Sequence, residues 1–299
     1  MKTRAILFLA IVWLSSTFAS AQDKKPLDHS VYDSWESLSG VSVPYNGKYL
    51  IYSVNKQEGD GTLFVYNMAT GDKMEIPRGK NAVISADGNT LLYRVSPLHS
   101  QTREAKIKKK KGDDLPKDTL VIMNLKSGQK QVYPRLKGVK YGQQLQRYVA
   151  FQTLPEPSED KKGPKPDKSA GTPLYLMDIR TSQIDTIDIV EKYTFTDEGE
   201  YLSYITKPGK KDSVGVRALH IKDLASGEDM QVLEGDKKMK VELPVYDEVY
   251  KRFAFYAQED TLKSEQKFSN IYLYNIGDGK AAKLIDKDYE GIPDGWMIG

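Results

Sequence analysis

The stretch Leu63-Phe64-Val65-Tyr66-Asn67-Met68-Ala69-Thr70-Gly71 decides the fold, because four further copies of it follow along the chain. They start at Leu120, Leu174, Leu219 and Ile271, and carry their Asn or Asp at Asn124, Asp178, Asp223 and Asn275. Each reads as a short apolar strand, an Asn or Asp, a tight turn and the start of another strand. Gly71, Gly128, Gly227 and Gly279 stand four residues after the marker, where a hairpin turn needs a residue tolerant of positive φ; the third copy has Ser182 there.

A second pattern alternates with the first. It runs from Asn46-Gly47 to Val54, from Asp87-Gly88 to Val95, from Glu198-Gly199 to Ile205, and in diverged form from Tyr250 to Tyr256. In each, a turn feeds a strand with apolar residues on both faces, as strands packed between neighbouring sheets require. Together the patterns supply about four strands per unit. The markers are separated by 57, 54, 45 and 52 residues. Propeller blades run to about 40–50 residues, and polar insertions at 98–118, 154–172 and 257–268 account for the excess. The expectation is an all-β chain of about five β-propeller blades, with Ile292 to Gly299 starting another, so that the ring is incomplete. A β-sandwich or another β-array is the alternative.

Outward from this repeat the chain divides into 1–21, 22–40 and 41–299. Lys2 and Arg4 precede an apolar run from Ala5 to Leu14, and Ala19-Ser20-Ala21 has the small-x-small form of a cleavage site. This reads as a signal peptide cleaved after Ala21, giving a periplasmic or secreted protein with no membrane anchor in the mature chain. Residues 22–40 read as a leader segment, and 41–299 as the propeller.

Composition narrows the functions. Removing Lys2 and Arg4 leaves 42 basic against 41 acidic residues, a balance that gives no global electrostatic case for nucleic acid or anionic lipid. The chain has no Cys, which excludes disulfides, thiolate metal sites and cysteine catalysis. Tyrosine, at 19 residues, outnumbers Phe and Trp together, which suits half-buried strands. The lysine run Lys108–Lys111 is followed by Asp113, Asp114 and Asp118 with no interleaved aromatics, so it reads as a solvated hairpin arm or loop. Pro155 to Gly171 reads as a mobile loop.

No residues assemble into a recognisable active site. His29, His99 and His220 read as structural, and none has zinc-site spacing. Gly40-Val41-Ser42-Val43-Pro44 lacks the final Gly of a nucleophile elbow. The pairs Glu159/Asp160 and Glu259/Asp260 fall in insertions, poor places to hold an acid and a base rigidly. No catalytic, cofactor-binding or metal-binding residue is assigned, and no cofactor is expected.

Several stretches nevertheless carry a resemblance. Leu27-Asp28-His29-Ser30-Val31-Tyr32-Asp33-Ser34-Trp35, Ile76-Pro77-Arg78-Gly79, Thr102-Arg103-Glu104-Ala105-Lys106-Ile107, Pro116-Lys117-Asp118 and Gly291-Ile292-Pro293-Asp294-Gly295-Trp296 resemble the amino-terminal propeller of exported bacterial serine peptidases of the prolyl oligopeptidase family. The resemblance implies a propeller that caps an α/β-hydrolase domain and admits short peptides to its Ser, Asp and His. It implies peptide substrates through a catalytic domain absent from these residues, so no catalytic residue transfers. The competing expectation is a free-standing exported propeller that binds a protein or glycan partner, with a propeller glycosidase third.

Overall fold

The marker residues fold as their chemistry dictates. Asn67 Oδ1 accepts the N–H groups of Ala69 (3.0 Å) and Thr70 (3.3 Å), and Asn124, Asp178 and Asp223 accept in the same way from Lys126, Arg180 and Ala225. Each is a side-chain turn that reverses the chain between two strands. The left-handed residue that follows is Gly71, Gly128, Ser182 or Gly227. In the fifth copy Gly277 takes positive φ instead of Gly279, with Asp278 accepting from the Asn275 side chain at 2.8 Å.

A computed structural model describes residues 29–155, 167, 169–212, 214–258, 268–293 and 296. The signal-peptide reading of 1–21 lies outside them. A 3-10 helix at His29–Ser34 leads into β1 (Glu36–Ser42), β2 (Tyr49–Lys56), β3 (Thr62–Asn67) and β4 (Lys73–Pro77), a four-stranded antiparallel meander. The first blade therefore starts at Glu36, inside the stretch read from sequence as leader. The second sheet is β5 (Gly79–Ile84), β6 (Thr90–Val95), β7 (Thr119–Asn124) and β8 (Lys130–Tyr133). The third is β9 (Leu136–Lys140), β10 (Tyr148–Thr153), β11 (Thr172–Asp178) and the first half of β12 (Ile184–Phe195). The second half of β12 opens the fourth, with β13 (Tyr201–Thr206), β14 (Arg217–Asp223) and β15 (Asp229–Gly235). In the fifth, β16 (Lys240–Val241) and β17 (Val245–Tyr246) both pair with β18 (Arg252–Gln258), followed by β19 (Asn270–Asn275) and β20 (Ala282–Ile285). Five meanders of this kind are propeller blades, as the repeat predicts. β10 is a second strand that the sequence pattern did not show.

Successive sheets pack face to face through four apolar seams. Ile51, Leu63 and Val65 meet Leu91, Tyr93 and Val121; Leu92 and Leu120 meet Val149 and Phe151; Leu174 and Leu176 meet Leu202 and Tyr204; Leu219 and Ile221 meet Phe253 and Tyr274. The second strands record this. β6, β10 and β13 each bury four consecutive residues, so both faces are covered, whereas β2 and β18 alternate. Among the described residues no strand pairing or core cluster joins the first sheet to the fifth, so the stack is open. Past Ile285 the described residues form turns. Residues 294, 295 and 297–299, in the stretch read as the start of a further blade, lie outside the description.

The 98–118 insertion departs from the sequence reading. Its first half is not a hairpin arm or loop but an α-helix, α1 (His99–Ile107), while the lysine run follows in turn and loop ahead of a 3-10 turn at Gly112–Asp114. Asp60, in the β2–β3 connection of the first blade, accepts the His99 N–H at 2.8 Å and so caps the helix from another sheet. At the other end, Lys109 takes φ 55°, Lys109 N–H bonds Lys106 O and Lys110 N–H bonds Ala105 O. This is a Schellman closure built without glycine. The loop reading of Pro155–Gly171 falls mostly on residues outside the description.

Candidate functional site

An antiparallel meander puts its first and third turns at one end and its second connection at the other. In every blade the first and third turns are tight, while the second connections (57–61, 96–118, 154–171, 207–216 and 259–269) hold all the insertions. The tight-turn end is stitched from blade to blade. Ala86 N–H bonds Leu145 O at 2.9 Å, Gln143 N–H bonds Asp197 O at 2.6 Å, and the Tyr246 hydroxyl donates to Asp197 Oδ1 at 2.9 Å. Gly142 is required there, since a Cβ would stand 2.7 Å from Asp197 O. These contacts bring the first strands of successive blades together.

A concavity lies along the seam between the third and fourth blades. Two hollows, of about 400 and 630 Å³, share Arg147, Tyr148 and Leu224. The Tyr148 hydroxyl donates to Leu224 O at 3.0 Å and bridges the seam. The Arg147 guanidinium lies 4.9 Å from the centre of the Tyr148 ring and donates to Asp178 Oδ2 at 2.9 Å. Beyond them, Gln146 donates to Glu198 at 2.9 Å on one side, and Lys222 lies 3.7 Å from Asp185 on the other. A groove so lined can hold a polar or charged chain by hydrogen bonds and ring stacking. Asp178 and Asp223 within it already close their own turns, so their carboxylates are structural first.

In the fourth blade, two groups from adjacent strands share one carboxylate from a third. The Tyr204 hydroxyl donates to Asp229 Oδ2, and His220 Nδ1 lies 3.3 Å from Asp229 Oδ1. The Tyr204 and His220 rings stack at 4.7 Å. Burial alone would raise the Asp229 carboxyl, but the bonds from His220 and Tyr204, with Lys222 nearby, hold it below its ordinary 3.8. Burial, then the bond to Asp229, pushes the Tyr204 hydroxyl up. A carboxyl depressed by folding stabilises the native state above its unfolded value, and that contribution is lost as pH falls through the folded value. Asp229→Asn should therefore lower stability at neutral pH by about 1.5 kcal/mol. It should also flatten the loss of stability below pH 3.8. Urea titrations at several pH values check this, and an unchanged acid limb would show that Asp229 is not its source.

The histidines do not come together. His99 opens α1 with Nε2 3.2 Å from Glu58 Oε2, His220 belongs to the Asp229 cluster, and His29 lies in the leading 3-10 helix. Ser42 ends the edge strand β1 just past a bulge, so Gly40–Pro44 is not a strand-to-helix elbow. Glu159, Asp160, Glu259 and Asp260 lie outside the described residues. Among the described residues no group of three His, Asp or Glu side chains could hold a metal ion, and no helix is long and apolar enough to cross a membrane. The groove and the Asp229 cluster escaped the sequence reading. His220-x-Lys222 facing Asp229 across a turn was the one signal available.

No protein-family model matches the chain, and no curated protein does. Among solved structures it is similar to the acylaminoacyl peptidase of Pyrococcus horikoshii, at 12% identity and a TM-score of 0.42 over 83% of this chain and 39% of that one. It is also similar to the β-propeller domain of the trilobed protease from Pyrococcus furiosus, at 12% identity and a TM-score of 0.42, over 84% of this chain and 72% of that one. A third likeness is to the tricorn protease, at 12% identity and a TM-score of 0.42, over 85% of this chain and 23% of that one. The chain thus spans about two fifths of the length of the acylaminoacyl peptidase. Nothing about activity follows from likeness at these values.

Proposed function

We propose that this chain is the substrate-gating propeller of an exported serine peptidase of the prolyl oligopeptidase type, its mature form beginning at Gln22. The observation that carries the reading is the set of family-like stretches from Leu27 to Trp296, spread over the whole of the repeat. The geometry supports it in one respect. A stack of blades with tight, stitched turns at one end and its longer connections at the other has two unlike ends, an asymmetry that suits a gate. The hydrolysis itself belongs to a catalytic domain outside these residues.

The test is an activity comparison. Purified residues 22–299 should show only background turnover of Xaa-Pro peptides. The product of the reading frame carried past codon 299 should cleave them and be silenced by a serine-directed phosphonate. A stop codon at that point, or a longer product without such activity, overturns the reading. It would favour a free-standing propeller that binds a protein or glycan along the seam groove.

A further inference from the structure

The lysine run gains a different meaning once its surroundings are known. Between His99 and Lys111 the chain has six basic residues against one acidic residue, Glu104. Two of the three acids that follow the run are engaged by other lysines. Asp118 pairs with Lys80 of β5 at 3.0 Å, and Asp113 lies 3.7 Å from Lys117. Glu104 pairs with Lys108 at 2.5 Å. Among the described residues Arg103, Lys106, Lys109, Lys110 and Lys111 have no ion-pair partner, and all are exposed. A helix C-terminus carries only about half a negative charge, felt within its last turn, so cap stabilisation accounts for about one of these cations. The rest are like charges crowded at one end of the helix, a repulsion its dipole does not offset.

Two further features point to what offsets that repulsion. Ile107 is 72% exposed in the middle of the cations, where an aliphatic side chain gains nothing from water. The helix is also held to the body at its amino-terminal end, by Asp60 at the His99 N–H and by Glu58 at the His99 ring. At the charged end the side chains from Lys106 to Lys111 are all exposed. Lysines act as point charges towards phosphate, and an aliphatic residue among them suits the boundary between headgroups and acyl chains. No Phe, Tyr or Trp is present in α1 for base stacking, and its one imidazole, His99, is engaged by Glu58 at the other end.

We propose that the carboxy-terminal end of α1, through Lys106, Ile107 and Lys108–Lys111, docks the protein on an anionic phospholipid surface. This inference does not depend on the peptidase reading. The purified chain should sediment with phosphatidylcholine–phosphatidylglycerol vesicles and not with pure phosphatidylcholine vesicles, and raising salt should release it. Replacing Lys109, Lys110 and Lys111 by Gln should weaken binding about a hundredfold, at about fivefold per lysine. Ile107→Ser should weaken it about tenfold and make what remains more salt-sensitive. Circular dichroism identical to wild type establishes that these surface variants are folded. If any variant unfolds, the salt titration of the wild-type chain decides alone. Equal binding to both vesicle types, or no loss in the triple variant, overturns the proposal. So does tighter binding to a single-stranded oligonucleotide that Ile107→Ser leaves unchanged, which would make the patch a nucleic-acid site.

Discussion

Replacing Glu191 by alanine should lower folding stability by about 3–5 kcal/mol, because it strands a buried guanidinium. Glu191 is the extra residue of the bulge in β12, between Val190 paired with Thr206 and Lys192 paired with Ile205. Its neighbour Ile189 takes φ 50°, and the bulge re-aims the Glu191 side chain away from the ladder. The carboxylate then receives Lys207 Nζ at 2.8 Å and Arg217 Nη2 at 2.9 Å. Arg217 is only 8% exposed; its Nη1 donates to Met239 O at the entry to the fifth blade, and its Nε has no partner. With Glu191 gone, that charge keeps one backbone acceptor and loses its counter-ion. A double-mutant cycle with Arg217→Met separates the explanations. If the stranded charge is the cause, the double variant should recover most of the loss, since an apolar side chain of similar size fits the site. If the two losses simply add in urea denaturation, the pair is not coupled and the account fails.

The two ends of the stack should make the purified chain self-associate. On the first blade, Leu38, Leu50, Tyr52, Val54, Phe64 and Tyr66 share the face turned away from the second blade, with Tyr52 and Phe64 stacked at 5.0 Å. On the fifth, Val245, Ala254, Tyr256, Ile271 and Leu273 share the face turned away from the fourth, and Tyr256 is 46% exposed. Each is the same kind of surface that the four internal seams bury, and apolar patches of this extent drive association. Because the two faces differ, contact of the first blade of one copy with the fifth of another is head-to-tail and adds copies in series. Sedimentation velocity should show a concentration-dependent series of oligomers. Tyr52→Glu with Tyr256→Glu should leave a monomer. A wild-type chain that is monodisperse at all concentrations would mean that these faces are covered.

The blades were legible because local chemistry marks them. Asn67, Asn124, Asp178 and Asp223 each close a turn with their own side chain, and Gly47, Gly88 and Gly199 each take the positive φ that a glycine advertises. The blade boundaries were not legible for the converse reason. Arg78, Arg135 and Ile189 adopt positive φ there, and no residue type announces it. Tyr250 does the same in the diverged turn of the fifth blade. Helix α1 was hidden because its cap, Asp60, and the partner of its first residue, Glu58, come from a different blade. The seam groove depends on Arg147, Asp178 and Leu224 meeting across three strands, a proximity that no window of sequence contains.

The unbroken course of β12 has a consequence for that groove. Between the first and second blades, and again between the second and third, the chain passes from one sheet to the next with the strands unpaired across the boundary. At the third seam Val190 is paired to Thr172 on one side and to Thr206 on the other, so two blades share a single ladder of seven strands. Widening this seam would require breaking a strand ladder, whereas the second and third blades are joined by isolated bonds such as Ala86 N–H to Leu145 O. The third and fourth blades therefore move as one plate, and the groove along them keeps its shape when empty. A guest that fits it meets a preorganised floor, and the ordering entropy that weakens binding to flexible surfaces has already been lost in folding.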